Sequence, residues 1–168
     1  MEFSVGDIVV HPSYGIGRIE NMEQMEYLGQ KAQPFYMISI QNGTIWVPAN
    51  SDGSSKLRPL SGKDEIEACR AVLRSQPEKL NDDRYQRKIE LAERTHSGTM
   101  LGLCEVLRDL TARSWERTLN ENDIMMLRKV NESVSREWAA VEDISVSAAI
   151  RDMNAQITRA RELKDSLA

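Results

Sequence analysis

The chain has 168 residues, 40% hydrophobic and 29% charged, the composition of a soluble globular protein. No apolar run approaches the roughly 20 residues that cross a bilayer. The acidic start MEFSVGD lacks the basic and apolar regions of a secretory signal, so a cytoplasmic protein without a membrane partner is expected. The formal net charge of -4 excludes attachment to nucleic acid by bulk charge alone and leaves room only for a local basic patch.

The chain changes character near residue 60, which predicts one module over 1–60 and a second over 61–168. Neither is basic: the first holds four Lys/Arg and six Asp/Glu, the second eighteen and twenty. In the first, Asp7–Pro12 and Ile16–Met22 read as a hairpin across the turn Pro12–Gly15, where Pro presets one torsion and Gly permits a positive φ. Gln24–Lys31 is a polar loop or a flaring end of the second strand. PFYMISIQ, 34–41, is a strand whose Tyr36, Ile38 and Ile40 share the core face. The Asn42–Gly43 pair favours a tight turn into TIWVP, 44–48. ANSDGSSK, 49–56, is a turn-rich loop, and Leu57–Leu60 offers a last short strand. Successive hairpins in so few residues predict a small, strongly bent antiparallel barrel.

The remainder reads as five helices packed into a compact bundle. The first starts near Ser61, with Asp64 three residues on as a cap partner, and turns Ile66, Cys69, Val72 and Leu73 inward. The second is capped by Asn81 or Asp82 and runs to His96, before Gly98. The third covers Thr99–Thr118 with Met100, Leu103, Cys104, Leu107 and Leu110 on one face. Asn120 and Asp123 resemble a capping box for the fourth, which buries Ile124, Leu127, Val130, Val134 and Trp138. The fifth carries a seam of Val146, Ile150, Met153, Ile157 and Ala160, continued by Leu163 or Leu167.

Few residues suit catalysis or metal binding. Gly15-x-Gly17 lacks the third glycine and following helix of a nucleotide loop and reads as turn chemistry. Asp64, Glu65, Glu67, Asp82 and Asp83 sit at helix starts, where negative charge suits the helix dipole. His11 reads as a turn residue, His96 as a helix end, and Cys69 and Cys104 as buried thiols. No enzyme, no cofactor and no metal are expected. Arg84, Arg87 and Lys88 fall at i, i+3 and i+4 beside Tyr85, a pattern that can present basic heads and a ring to DNA. A solvated face with acidic neighbours has the same pattern. Arg108, Arg113 and Arg117 add to the first reading. Strand alternation leaves Trp46 either outward, as a protein-contact anchor, or in the core. Trp138 reads as core, and Trp115 fits either place.

The pattern F-x-V-G-D-x-V-V-x-P-x-x-G-x-G, carried by Phe3, Val5, Gly6, Asp7, Val9, Val10, Pro12, Gly15 and Gly17, resembles the start of the CarD/CdnL family of bacterial transcription regulators. VPAN, 47–50, and EVLRDLTARSWERTLNENDIMMLRKV, 105–130, are similar to later segments of that family. The resemblance implies an α+β chain: a Tudor-like, SH3-like antiparallel β-barrel that binds the β subunit of bacterial RNA polymerase, then a helical domain that touches promoter DNA weakly and without reading sequence. It implies modulation of the open complex and no catalysis. The first module also resembles the polymerase-binding domain of the transcription-repair coupling factor, although no helicase motifs follow.

On that resemblance the polymerase contacts fall on Met25, Tyr27, Ile45, Trp46, Val47 and Pro48, and the DNA contacts on Arg84, Tyr85, Arg87 and Lys88. The chain departs from the family twice. LNDDRYQRK, 80–88, replaces a W-S-R-R-Y segment whose Trp wedges into DNA, with Arg84 or Tyr85 nearest that position. Met25 and Trp46 stand where the family places arginines on its polymerase-facing strands, which predicts a more apolar, less salt-dependent grip. The competing reading is a protein-only adaptor whose helical module binds another protein, or a second copy, through the C-terminal seam.

Overall fold

A computed structural model describes residues 2–50 and 56–167. The chain divides into two compact units, Met1–Leu60 and Ser61–Ala168.

The first unit is a five-stranded antiparallel open sheet of order β4-β3-β2-β1-β5, built from β1 (Ile8–His11), β2 (Gly15–Met25), β3 (Gln33–Ile40), β4 (Gly43–Pro48) and β5 (Arg58–Pro59). Gly15 takes φ +75° where the first hairpin turns. Gly17 is glycine for a different reason: a Cβ there would lie 2.9 Å from the Ser39 carbonyl oxygen and collide with Ile38. His11 Nδ1 accepts the Ser13 and Tyr14 N–H groups at 3.1 and 3.3 Å, which holds the turn. Burial, with help from Lys56, keeps that imidazole below its usual pKa. Gln41 and Asn42 make the second tight turn, one residue earlier than the Asn-Gly pair indicates, and Gly43 opens β4 at φ +152°. The loop expected over 49–56 lies largely outside the described residues.

One face of the sheet carries the core: Phe3, Val9, Ile19, Tyr36, Ile38 and Val47, with Ile40 and Ile45 packed against it. The Tyr36 hydroxyl accepts the Phe3 N–H at 3.1 Å, and the two rings meet edge to face. The alternation of β3 therefore puts the expected face inside. Phe35, on the opposite face, is buried as well.

The second unit packs α1 (Lys63–Leu73), α2 (Arg84–His96), α3 (Met100–Glu116), α4 (Glu121–Glu142) and α5 (Val146–Leu167) around one core that includes Leu73, Leu110, Val134, Trp138 and Met153. Local caps set the starts. Asp83, not Asn81 or Asp82, caps α2, its carboxylate accepting the Gln86 N–H at 2.8 Å. Thr99 caps α3 and Asn120 caps α4. Ser61 does not cap α1; Gly62 does, and Glu65 accepts the Gly62 N–H at 3.2 Å. The Ser61 backbone N–H and hydroxyl instead donate to the buried Glu137 at 3.0 and 2.7 Å. Ile124, expected inward, is exposed, while its neighbour Asp123 takes the inward position of that turn and meets Arg87. The α5 seam is used within the chain through Met153, Ile157 and Ala160, while Val146, Leu163 and Leu167 at its ends stay exposed. No described helix is long and apolar enough to cross a membrane.

Candidate functional site

On the first unit the sheet's outer face has an apolar strip. Cross-strand pairing places Asn21 opposite Met37 and Met37 opposite Trp46 in one row. Glu23, Phe35 and Pro48 make the next, and Met25 faces Gln33 beyond them. Residues directly opposite in antiparallel strands share a face, so Met25, Phe35, Met37, Trp46 and Pro48 line one surface. Trp46 is 46% exposed, and its indole Nε1 donates to Glu23 Oε2 at 3.1 Å. That bond fixes the ring against the sheet and leaves its apolar body to solvent. Strand alternation left Trp46 undecided; the packing of Val47 into the core decides it.

Strand β4 is an edge. Among the described residues it pairs only with β3, so alternate residues turn their backbone N–H and C=O groups outward. At the far end of the hairpin, Tyr27 and Leu28 are exposed, with Leu28 in the left-handed region at φ +53°. Of the six residues assigned to a polymerase contact, Trp46 and Tyr27 are exposed and Met25 and Pro48 half-buried. Val47, 6% exposed, belongs to the core, and Ile45 packs against it. Their placement at a surface is corrected by the same alternation that frees Trp46. Sequence reading missed Met37 and Glu23, which tracing the register from Trp46 across the tight turn reaches.

On the second unit the basic run of α2 splits. Arg84, Tyr85 and Lys88 are exposed, Tyr85 at 75%. Arg87 is 3% exposed and faces inward, which corrects its assignment to a DNA contact. Its Nε reaches both oxygens of Asp123 at 3.1 and 3.2 Å, and its Nη2 reaches Asp123 at 2.9 Å. Nη1 donates to the Asn81 and Asp82 carbonyls at 2.8 and 3.1 Å. The guanidinium is thus consumed in fastening the chain before α2 to the start of α4. Half of the expected capping box forms, with Asn120 Oδ1 accepting the Asp123 N–H at 2.8 Å, while the Asp123 carboxylate answers Arg87.

Arg108 is spent in the same way. It donates to the fully buried Asp109 at 2.8 Å and to Ser75 at 2.8 Å. Asp109 also accepts Arg94 at 2.7 Å and the Glu78 N–H at 2.9 Å. Arg117 reaches the surface, while the Arg113 side chain is only 10% exposed; both donate to Asp82, at 2.9 and 3.4 Å. Lys79, Arg117 and Arg113 hold the Asp82 carboxyl below its usual range. Trp115 is half-buried under Arg161 and Lys164, whose cationic groups lie 5.5 and 5.9 Å from its ring centroid.

Cys69 and Cys104 are buried, and hydrogen bonding to Cys69 together with burial pushes the Cys104 thiol well above its usual range. Among the described residues no three His, Cys, Asp or Glu side chains gather where they could hold a metal ion.

Residues 3–61 match the CarD-like/TRCF RID domain family, and residues 69–154 match the CarD C-terminal domain family. A protein of Bacillus subtilis (strain 168) named "Putative transcription factor YdeB" is 30% identical over 149 residues, spanning 85% of this chain and 94% of its own.

Proposed function

Because the chain belongs to the CarD-like family of transcription factors, whose first domain is an RNA polymerase interaction domain, we propose that its sheet unit docks on the polymerase β subunit through the outer strip and the free edge of β4. A partner strand adds to that edge by backbone hydrogen bonds, and the Trp46 indole seats in an apolar pocket beside it. The helical unit then touches promoter DNA without sequence readout and shifts formation of the open complex. Arg84, Tyr85 and Lys88 supply the contact from α2. Tethering through the polymerase raises their local concentration, so a chain of net negative charge needs little free affinity for DNA.

The observation that carries this reading is the exposed, hydrogen-bonded indole on an edge strand among Met25, Met37 and Pro48. Binding of the full chain to purified bacterial RNA polymerase tests it. Trp46→Ala weakens binding by about 30-fold or more, the loss of a hot-spot aromatic, with little change on raising salt. Undiminished binding by that variant removes the docking claim. In the polymerase–promoter complex, Arg84→Glu with Lys88→Glu lowers the salt-sensitive part of DNA protection. Protection unchanged by that pair removes the DNA contact from α2.

A further inference from the structure

The connection between β2 and β3 holds a tight turn, Tyr27–Gln30, closed by the Gln30 N–H donating to the Tyr27 carbonyl at 3.1 Å. Both central residues have positive φ, Leu28 at +53° and Gly29 at +72°. That combination is the mark of a type I′ turn, whose central positions favour Asn, Asp or Gly because a larger side chain crowds the backbone there. Gly29 meets the requirement and Leu28 does not. Two other non-glycine residues have left-handed backbone among the described residues, Lys56 and Asp143. Both are polar, and Asp143 closes α4, where that conformation is common.

Leu28 is also the most exposed large apolar side chain among the described residues, at 81%, beside Tyr27 at 59%. Such exposure leaves little of it to pack within its own unit, so no local contact offsets the strained backbone. Asn at this position would suit both the turn and the water around it. An apolar residue held in strained backbone and open to solvent marks a contact made with another molecule. The place of the turn indicates which contact. Met25 stands on the outer strip four residues along β2 from Asn21, whose row contains Met37 and Trp46, and Leu28 follows three residues later. Apolar groups therefore run from Trp46 through Met37 and Met25 to Tyr27 and Leu28. The seven residues from Asn21 to Leu28 limit the spacing along β2 to about 25 Å.

We propose that this turn is a second anchor of the docking surface: Leu28, flanked by Tyr27, seats in an apolar pocket of the polymerase separate from the one that takes the Trp46 indole. The proposal rests on the docking reading of the preceding section and adds the chemistry of the partner, two apolar seats no more than about 25 Å apart along the direction of β2. Leu is retained in a turn suited to Asn because its gain arises only in the complex.

Binding of the full chain to purified bacterial RNA polymerase, together with amide exchange of the free chain, tests this. Leu28→Asn separates the turn from the anchor, because Asn enters the left-handed region readily and carries no apolar body. Exchange at Ile19 and Ile38, in the core strands of the sheet, slows about fivefold as the turn relaxes. Polymerase binding weakens about tenfold, the loss of one buried leucine side chain. Leu28→Met keeps an apolar body of similar volume and stays within about threefold of wild type. A variant that is more stable yet binds less is the expected signature, and misfolding cannot produce it. Undiminished binding by Leu28→Asn, with Trp46→Ala weakened, overturns the second anchor and leaves the docking strip standing. Exchange no slower in Leu28→Asn shows an unstrained turn and overturns the argument for retention. Equal loss in Leu28→Met and Leu28→Asn overturns the apolar seat. Binding by no form, wild type included, overturns strip and anchor together. A concentration-dependent dimer abolished by Leu28→Asn, with polymerase binding unchanged, gives the turn to a second copy of the chain and overturns the polymerase as its partner.

Discussion

The two units spend their side chains in opposite ways. The sheet unit leaves apolar groups outside: Trp46 exposed, Met25 and Met37 half-buried, on and beside an edge strand that pairs only with β3 among the described residues. The helical unit draws charged groups inside: Arg87, Arg108, Asp109, Asp123 and Glu137 are all buried. A cation in a sequence pattern is therefore a poor guide to a binding surface when the chain holds its own carboxylate for it. On the short edge strand the alternation is plainer: Val47 takes the core face and Trp46 beside it stays exposed.

The sharpest way to break this contrast is Arg87→Ala. If Arg87 fastens the bundle, removal strands the Asp123 carboxylate without its partner and costs about 3–5 kcal/mol, read from urea unfolding of the full chain. Lys88→Ala, one residue on and exposed, changes stability by less than about 0.5 kcal/mol. Equal effects at the two positions would place Arg87 with the surface cations. For the sheet unit the same comparison runs the other way: Trp46→Ala costs polymerase binding and leaves the unfolding midpoint within about 1 kcal/mol of wild type. Val47→Ala lowers stability by about 1–3 kcal/mol through loss of core packing.

Acid titration sharpens the contrast further. Burial raises the pKa of Asp152, but hydrogen bonds from Gln156 and Arg70 and the Arg70 charge outweigh it and hold the carboxyl below its ordinary 3.8. Arg70 is a hub that also pairs with Glu67 and Glu142 and lies over the Trp138 ring at 5.2 Å. A carboxyl with a lowered pKa in the folded chain contributes stability above its unfolded value and loses it as pH falls through the folded one. Unfolding of the helical unit therefore gains an acid limb below about pH 4, which Asp152→Asn flattens. The smallest effect belongs to the sheet unit. His11 is held below its usual 6.5, so the first turn loses stability as pH drops beneath that value. His11→Asn removes this dependence, and amide exchange at Ser13 and Tyr14 reads it.

Element positions were legible because their signals are local. Alternation in β3, the glycine and proline punctuation of the first hairpin and the 3.6-residue spacing of the helices depend only on neighbours along the chain. Cap choices lay at the margin of legibility. Asn81, Asp82 and Asp83 are chemically alike, and only Asp83 has its carboxylate within reach of Gln86 N–H. The candidate site was half legible: Trp46 and Tyr27 stood out by residue type, but the row that joins Trp46 to Met37 and the bond that joins it to Glu23 exist only once the strands pair.

From the order of its residues alone, this chain specifies a short antiparallel sheet followed by five helices and its membership of a transcription-factor family, because secondary structure and motif are properties of near neighbours. Which charges face solvent was decided only by folding. Arg87 and Asp123 are 36 positions apart, Arg117 and Asp82 are 35, and a charge meets its partner over that distance only when helices have packed.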